Sequence, residues 1–168
     1  MQLNYDIRVL NPSDIPDFEN LVAEIERKIV NPAWWLPIKE NAKKHFFDSD
    51  WTTFIGCFHG DQLVGASALF WNEFEYGESV SAIGGCPAPI AEIGRSMVLN
   101  EHRGQNLMLK MNSELLKIAK KRGVKSIIAT AHPDNLPSNS SLIRLGLKIQ
   151  KCIIKDGSYP RNVLLMSL

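Results

Sequence analysis

Hydrophobic positions along the chain change period several times, and each change marks an element. Residues 5–10, "YDIRVL", alternate as a short strand does. Ile15, Phe18, Val22, Ile25 and Ile29 then recur at spacings of three and four, which predicts a helix over "NPSDIPDFENLVAEIERKIV" with one apolar stripe against a core. Asn11 stands where that helix needs a cap, and Pro12 takes its first position, where a backbone donor is dispensable. Past breaks at Pro32 and Pro37, "NPAWWLPIKENAKKHFF" predicts a second, shorter helix. "TTFIGCFHG" and "LVGASALFW" are β-branched and aromatic runs about a Gly60–Asp61 turn, hence a hairpin. "NEFEYGESVSAIGGCPAP" is polar and rich in Gly and Pro, and is expected to be a long connecting loop.

The second half predicts βαβα followed by further β. "AEIGRSMV" (91–98) reads as a strand, and Leu107, Met111, Leu115 and Ile118 form one face of a helix that ends near "KKRG" with Gly123 as its stop. "KSIIATA" is a short buried strand, "PSNSSLIRLG" a compact helix ending at Gly146, and "LKIQKCIIK" and "NVLLMSL" are terminal strands. A leading hairpin followed by alternating β and α implies an α/β fold, a mixed sheet flanked by helices, with residues 1–168 as one domain.

Composition narrows the functional classes. The chain is 168 residues long and 45% hydrophobic, enough for a real core, and its net charge of +1 offers no global field for nucleic acid or membrane. Neither G-x-G-x-x-G nor G-K-[ST] occurs, so dinucleotide and P-loop sites are not expected. Cys57, Cys86 and Cys152 are odd in number and widely spaced, which predicts reduced thiols in a cytoplasmic protein and no metal site. "MQLNYDIRVL" has no basic segment leading into an apolar core, and no apolar run is long enough to span a bilayer, so a soluble protein without a leader is expected.

"NEHRGQNLM" (100–108) sits between a predicted strand and a predicted helix and sets Arg103, Gly104, Gln105 and Asn106 at the junction. A helix start has unpartnered N–H groups and the positive end of the helix dipole, so this is a ready anion site. The stretch from about Ala91 to Leu147 resembles the acetyl-CoA-binding half of the GNAT superfamily of N-acetyltransferases. "RGQNLM" takes the place of the family's R-G-x-G-x-G/A loop, and Asn135 with Gly146 eleven residues later matches its Asn and Gly about a short helix. Asn106 and Met108 stand where the family usually has small residues. The resemblance implies a largely antiparallel sheet with a splayed parallel strand pair. It also implies acetyl-CoA as cosubstrate, held by the backbone of Arg103, Gly104, Gln105, Asn106, Leu107 and Met108, by the strand residues Met97, Val98 and Leu99 along the pantetheine arm, and by Asn135 and Ser138.

The activity implied is acetyl transfer to an amine by direct attack. Glu92, six residues before Val98, matches the place where several members carry the base that removes the amine proton; it could equally be a strand-end glutamate paired with Arg95 or a lysine. The family's usual acid, a tyrosine seven residues after the Asn, is replaced by Leu142, which leaves solvent or Tyr159, expected in the loop before the last strand, to protonate the leaving thiolate. His132, at the end of a buried strand, is a further candidate base or acceptor contact. Leu142 and the altered loop also suggest an alternative: a non-catalytic acyl-CoA-binding sensor or assembly protein. Cys86 as an acyl carrier is a minor alternative. Glu73, Glu75 and Glu78 beside Trp71, Phe74 and Tyr76, together with Trp34 and Trp35, could line a cleft for a cationic small-molecule or peptide amine, or form an exposed charged hairpin edge. A homodimer is compatible with all of these.

Overall fold

Asn11 begins the first helix by accepting from Ser13 N–H while the Asp14 carboxylate accepts from Asn11 N–H at 2.8 Å, a reciprocal cap that closes the 3-10 turn Pro12–Asp14. In this computed structural model, which describes residues 4–168, that turn leads directly into α1 (Ile15–Lys28). Residues 1–3 of the stretch expected to lack a leader lie outside the described residues. The short helix expected over 31–47 is a 3-10 turn, Pro32–Trp34, followed by one helical turn, α2 (Glu40–Lys43), because the prolines interrupt the backbone ladder.

Strand β1 (Asp6–Val9) pairs with β2 (Thr52–His59), which forms the expected hairpin with β3 (Gln62–Phe70). The next segment departs from expectation. Residues expected to be loop contain α3 (Glu73–Ala82), capped by Asn72, whose side chain accepts from Phe74 N–H at 2.9 Å, with Glu73 and Glu75 in the first turn at the positive end of the dipole. Strands β4 (Ile90–Val98), β5 (Ser126–Ala131), β6 (Lys148–Lys155) and β7 (Tyr159–Ser167) alternate with α4 (Leu107–Lys121) and α5 (Leu136–Leu145). Tyr159, expected in a loop, is the first residue of β7 and pairs with Lys155.

The seven strands form one sheet in the order β1-β2-β3-β4-β5-β7-β6, antiparallel throughout except for the parallel pair β4 and β5. Central β3 is buried on both faces from Leu63 to Phe70. One face carries an aromatic cluster in which Phe18 of α1 meets Phe54 at 4.7 Å between centroids, with Phe46, Phe47 and Phe70 around it. The other carries α4, whose Met111 and Leu115 are fully buried. Burial of each such side chain stabilises by about 1.5–3 kcal/mol, so both helices are clamped to the sheet.

The feature that positions a site is where β4 and β5 part. Their pairing runs from Ile90 and Ser126 to Ile93 and Ala129 and stops, while β4 continues to Val98. A bulge opposite Ser67 bends β4 at Arg95, whose φ is +51°. Ser67 Oγ holds the bend from below, 2.7 Å from Ser96 Oγ and 2.6 Å from Oδ1 of the fully buried Asn112 on α4. The second half of β4 therefore presents a free backbone edge to an opening. Among the described residues, no helix is long and apolar enough to cross a membrane.

Candidate active site

The opening is bordered by the start of α4. Gly104 has φ +78° and Asn106 φ +57°, so the chain turns through two left-handed residues before the helix begins. Asn106 tolerates this conformation as glycine would. The first helical bond joins Lys110 N–H to Asn106 O, and no side chain caps the turn. The N–H groups of Leu107, Met108 and Leu109 thus carry no helical partner, and among the described residues nothing accepts from Gly104, Gln105 or Asn106. A Cβ at Gly104 would meet nothing within 4 Å, so the space before these donors is open. Arg144 of α5 donates to Asn106 Oδ1 at 2.9 Å and sets a cation beside the loop. This cradle fits a phosphate anion on an observation independent of motif: a row of uncapped donors facing open space.

Along β4, Leu99 N–H bonds back to Val64 O on β3. By antiparallel alternation Leu99 and Met97 turn their backbone toward β3, and Val98 turns its own toward the opening, where its carbonyl accepts from Arg103 Nε at 3.2 Å. Of the three strand residues expected along the pantetheine arm, Val98 has its backbone on the open side.

At the inner end of the opening lies a cavity of about 120 Å3. Glu92, Gly94, Arg95, Met108, Asn135 and Leu142 line it, with Trp34 and Trp35 from the segment after α1. Met108, where the family usually has a small residue, lines the cavity. Glu92 is 6% exposed; one carboxylate oxygen lies 3.8 Å from Lys155 Nζ, and the other, Oε2, is buried without any hydrogen-bond partner. Burial pushes the Glu92 carboxyl up to about 7, against the opposing pull of the Lys155 charge. A Cβ at Gly94 would press on the Phe70 ring at 3.0 Å, so glycine here leaves room between that ring and the Glu92 carboxylate. Asn135 caps α5 by accepting from Ser138 N–H at 3.2 Å, and both residues line the cavity.

Two expected residues lie apart from this cavity. His132 is not in its lining: its Nδ1 accepts from Asp134 N–H at 3.1 Å and its carbonyl accepts from Asn139 Nδ2 at 2.9 Å, a histidine satisfied at a strand end. Tyr159 is likewise outside the lining. Leu142, at the position of the missing tyrosine, is buried against the cavity and offers no proton.

The sequence from 15 to 146 matches the model of the acetyltransferase (GNAT) family. The chain belongs to the GNAT family. Solved structures share the fold across almost the whole length. A probable acetyltransferase from Staphylococcus epidermidis is 16% identical with a TM-score of 0.70, over 98% of this chain and 99% of that one. The ribosomal-protein-S5-alanine acetyltransferase from Vibrio fischeri is 14% identical with a TM-score of 0.74, over 99% and 94%. RimL, the ribosomal L7/L12 alpha-N-protein acetyltransferase solved with coenzyme A, is 16% identical with a TM-score of 0.69, over 99% and 96%. No curated protein matches the chain. As a GNAT protein the chain is an acyltransferase, and acetyl transfer from acetyl-CoA is the activity of its family.

Some groups at this GNAT site escape a reading of the sequence. Lys155 and Arg161, on the two arms of the β6–β7 hairpin, line the cavity together with Arg95 at the bulge, which lies far from them in sequence. The sequence names Arg95 only as a partner for Glu92, and Lys155, which ends a strand that also carries Lys148 and Lys151, gives no local signal of a site. Glu75, expected at a possible acceptor cleft, does line the cavity, while Glu73 and Glu78 do not. The three thiols are unpaired, and Cys57 is fully buried, which pushes its thiol up to about 11.

Proposed function

We propose that the protein transfers the acetyl group of acetyl-CoA directly to the amine of an acceptor, without a covalent enzyme intermediate, and that Glu92 takes the amine proton. One observation carries this: the unpartnered, buried Oε2 of Glu92 in a cavity at the parting of β4 and β5. The donors from Gly104 to Leu109 would hold the pyrophosphate, with Arg103 and Arg144 beside it, and the backbone of Val98 the pantetheine arm. When bound, acetyl-CoA supplies a thioester carbon to the acceptor nitrogen, and the C–S electron pair leaves on sulfur.

An amine reaches the site as an ammonium, which has no lone pair. A carboxylate with its pKa near 7 is matched to removing that proton at neutral pH, and Oε2 has no competing donor. Leu142, and Tyr159 outside the cavity lining, support release of a thiolate that solvent protonates, which is tolerable for a thiol whose pKa is about 8.5. The raised Cys57 thiol, and Cys86 outside the cavity lining, favour direct transfer over an acyl-cysteine route. Three unpaired cysteines favour a cytoplasmic location.

The test is Glu92→Gln. Steady-state thiol release with a competent amine is expected to fall by roughly 10²–10⁴ in kcat/KM at neutral pH, with acetyl-CoA affinity by calorimetry unchanged and the defect shrinking at alkaline pH. A loss below about threefold at every pH would remove Glu92 from the role and leave positioning of the acceptor as the source of rate.

A further inference from the structure

The cavity lining gathers three cations, Arg95, Lys155 and Arg161, and one of them has no carboxylate partner among the described residues. Arg161 is 2% exposed; its Nη1 donates to Pro160 O at 2.6 Å and its Nη2 to Ala33 O at 2.9 Å. Arg95 donates to the carbonyls of Leu36 and Pro37 and stacks over the Trp35 ring at 5.4 Å. Lys155, 7% exposed, has its Nζ 3.5 Å from Glu75 O and 3.8 Å from Glu92 Oε1. Carbonyl oxygens satisfy donors but do not cancel charge, so Arg161 is bonded and, among the described residues, has no carboxylate partner, whereas Arg95 also feels the carboxylates of Glu75, Glu92, Asp156 and Glu26. They also sense each other: burial and the Arg95 charge both lower the Arg161 pKa. In the lining, Glu75 and Glu92 face these three cations, while Asp156 and Glu26 act on Arg95 from outside it, so Arg161 is the cation left without a carboxylate. Buried charge without a counter-ion is unfavourable, and two arginines and a lysine converging on one cavity form a carboxylate site.

We infer that the acceptor is a small amine that also carries a carboxylate, a free α-amino acid, with its carboxylate held by Arg161, Lys155 and Arg95 and its nitrogen turned toward Glu92. This rests on the transferase reading above and names the acceptor class for the same cavity. It also replaces the cationic acceptor expected from the acidic and aromatic residues: an oligocation entering here meets three cations, and of the acidic side chains expected at that cleft only Glu75 lines the cavity. The cations also shape the enclosure. Arg161 and Arg95 pin Ala33, Leu36 and Pro37, so the roof carrying Trp34 and Trp35 is tied to the groups that would bind the carboxylate.

The experiment is thiol release from acetyl-CoA with a panel of free amino acids, their α-amides, the matching decarboxylated amines, a polyamine and short peptides with neutral or acidic first residues. The expected result is a kcat/KM for at least one amino acid about 100-fold or more above its own amide and amine. Lys155→Met is expected to lower the ratio of kcat/KM for that amino acid to kcat/KM for its own amide at least 10-fold, with the KM for acetyl-CoA unchanged; the ratio is read because loss of the Lys155 charge also raises the Glu92 pKa and slows both acceptors alike at neutral pH. Lys155 is chosen because Arg161 also anchors the roof, and Arg161→Lys serves as the second variant with the same expected split between acid and amide. Equal turnover of acid and amide, or a polyamine or any peptide as the best acceptor, overturns the inference and leaves the transferase standing. Acetyl-CoA binding with no thiol release from any amine overturns the transferase reading and this inference with it.

Discussion

Glu92 ties chemistry to stability within one side chain. Its carboxyl lies near 7 in the folded protein against an ordinary 4.5, so the folded state keeps the proton to higher pH than the unfolded chain does. Below about 4.5 both states are protonated and the group contributes no difference; as pH rises through the window to about 7 the unfolded chain loses its proton first, and stability falls. Above the window the buried charge costs about 3 kcal/mol. Glu92→Gln, which imitates the protonated form, is therefore expected to melt several degrees higher than the parent at pH 8 and equally near pH 4, while turnover collapses. Thermal melts at the two pH values check this, and a lower melting temperature at pH 8 would show that the Lys155 pair outweighs burial. In the parent, kcat/KM is expected to rise with pH to a half-maximum near 7 as Glu92 ionises, a limb that the Gln variant lacks.

The elements that matter most are the loop into α4 and the helix α5. At Gly104 an added Cβ meets no protein atom within 4 Å, so the penalty of Gly104→Val is chiefly backbone strain at φ +78° together with a branched group where the proposed anion would sit. Acetyl-CoA affinity is expected to fall at least 10-fold with a stability loss of about 1–2 kcal/mol, read by calorimetry and denaturant unfolding. Asn106→Gly keeps the left-handed turn and removes only the tie to Arg144, so binding is expected to change less than threefold. Asn139 donates to His132 O and Asn135 O and accepts from Asn162, joining the end of β5 to α5 and β7. Asn139→Ala removes these three bonds but leaves His132 O and Asn135 O accepting from the N–H groups of Asn135 and Asn139, so only Asn162 Nδ2 loses its partner, and unfolding is expected to show a loss of about 1–2 kcal/mol. Element α3 was misread because its residues lack a three-four apolar stripe and only Ser79 is buried; the Asn72 cap and the acidic first turn were its legible signals.

Across the whole molecule the net charge of +1 gives no long-range field, so electrostatics here is local. Acetyl-CoA affinity is expected to weaken only several-fold between about 50 and 500 mM salt, because the proposed anion site would be partly backbone dipole, with Arg103 and Arg144 as its few cations. Desulfo-CoA is expected to bind nearly as well as acetyl-CoA, and ATP or NAD much more weakly, since neither places an arm along β4. Titration calorimetry across the salt series checks both, and equal affinity for ATP would remove the β4 edge from the binding site.

Much of the fold was legible because it is written in short-range patterns. The stripe from Ile15 to Ile29, the Asn11 cap, the hairpin about Gly60 and the loop "RGQN" before Leu107 each act within one element or its junction, where period, cap and turn chemistry are read directly. The family resemblance that rests on that loop and on the spacing of Asn135 and Gly146 implied the parallel pair, which β4 and β5 form, and pointed to the same loop as the proposed anion cradle. The cavity was not legible in that way. Glu92 became a buried base candidate only where β4 parts from β5, and Arg95, Lys155 and Arg161 meet only because β7 inserts between β5 and β6 while a bulge turns β4. The sign of the charge facing the acceptor is a sum over strands that are distant in sequence, and no local pattern carries that sum.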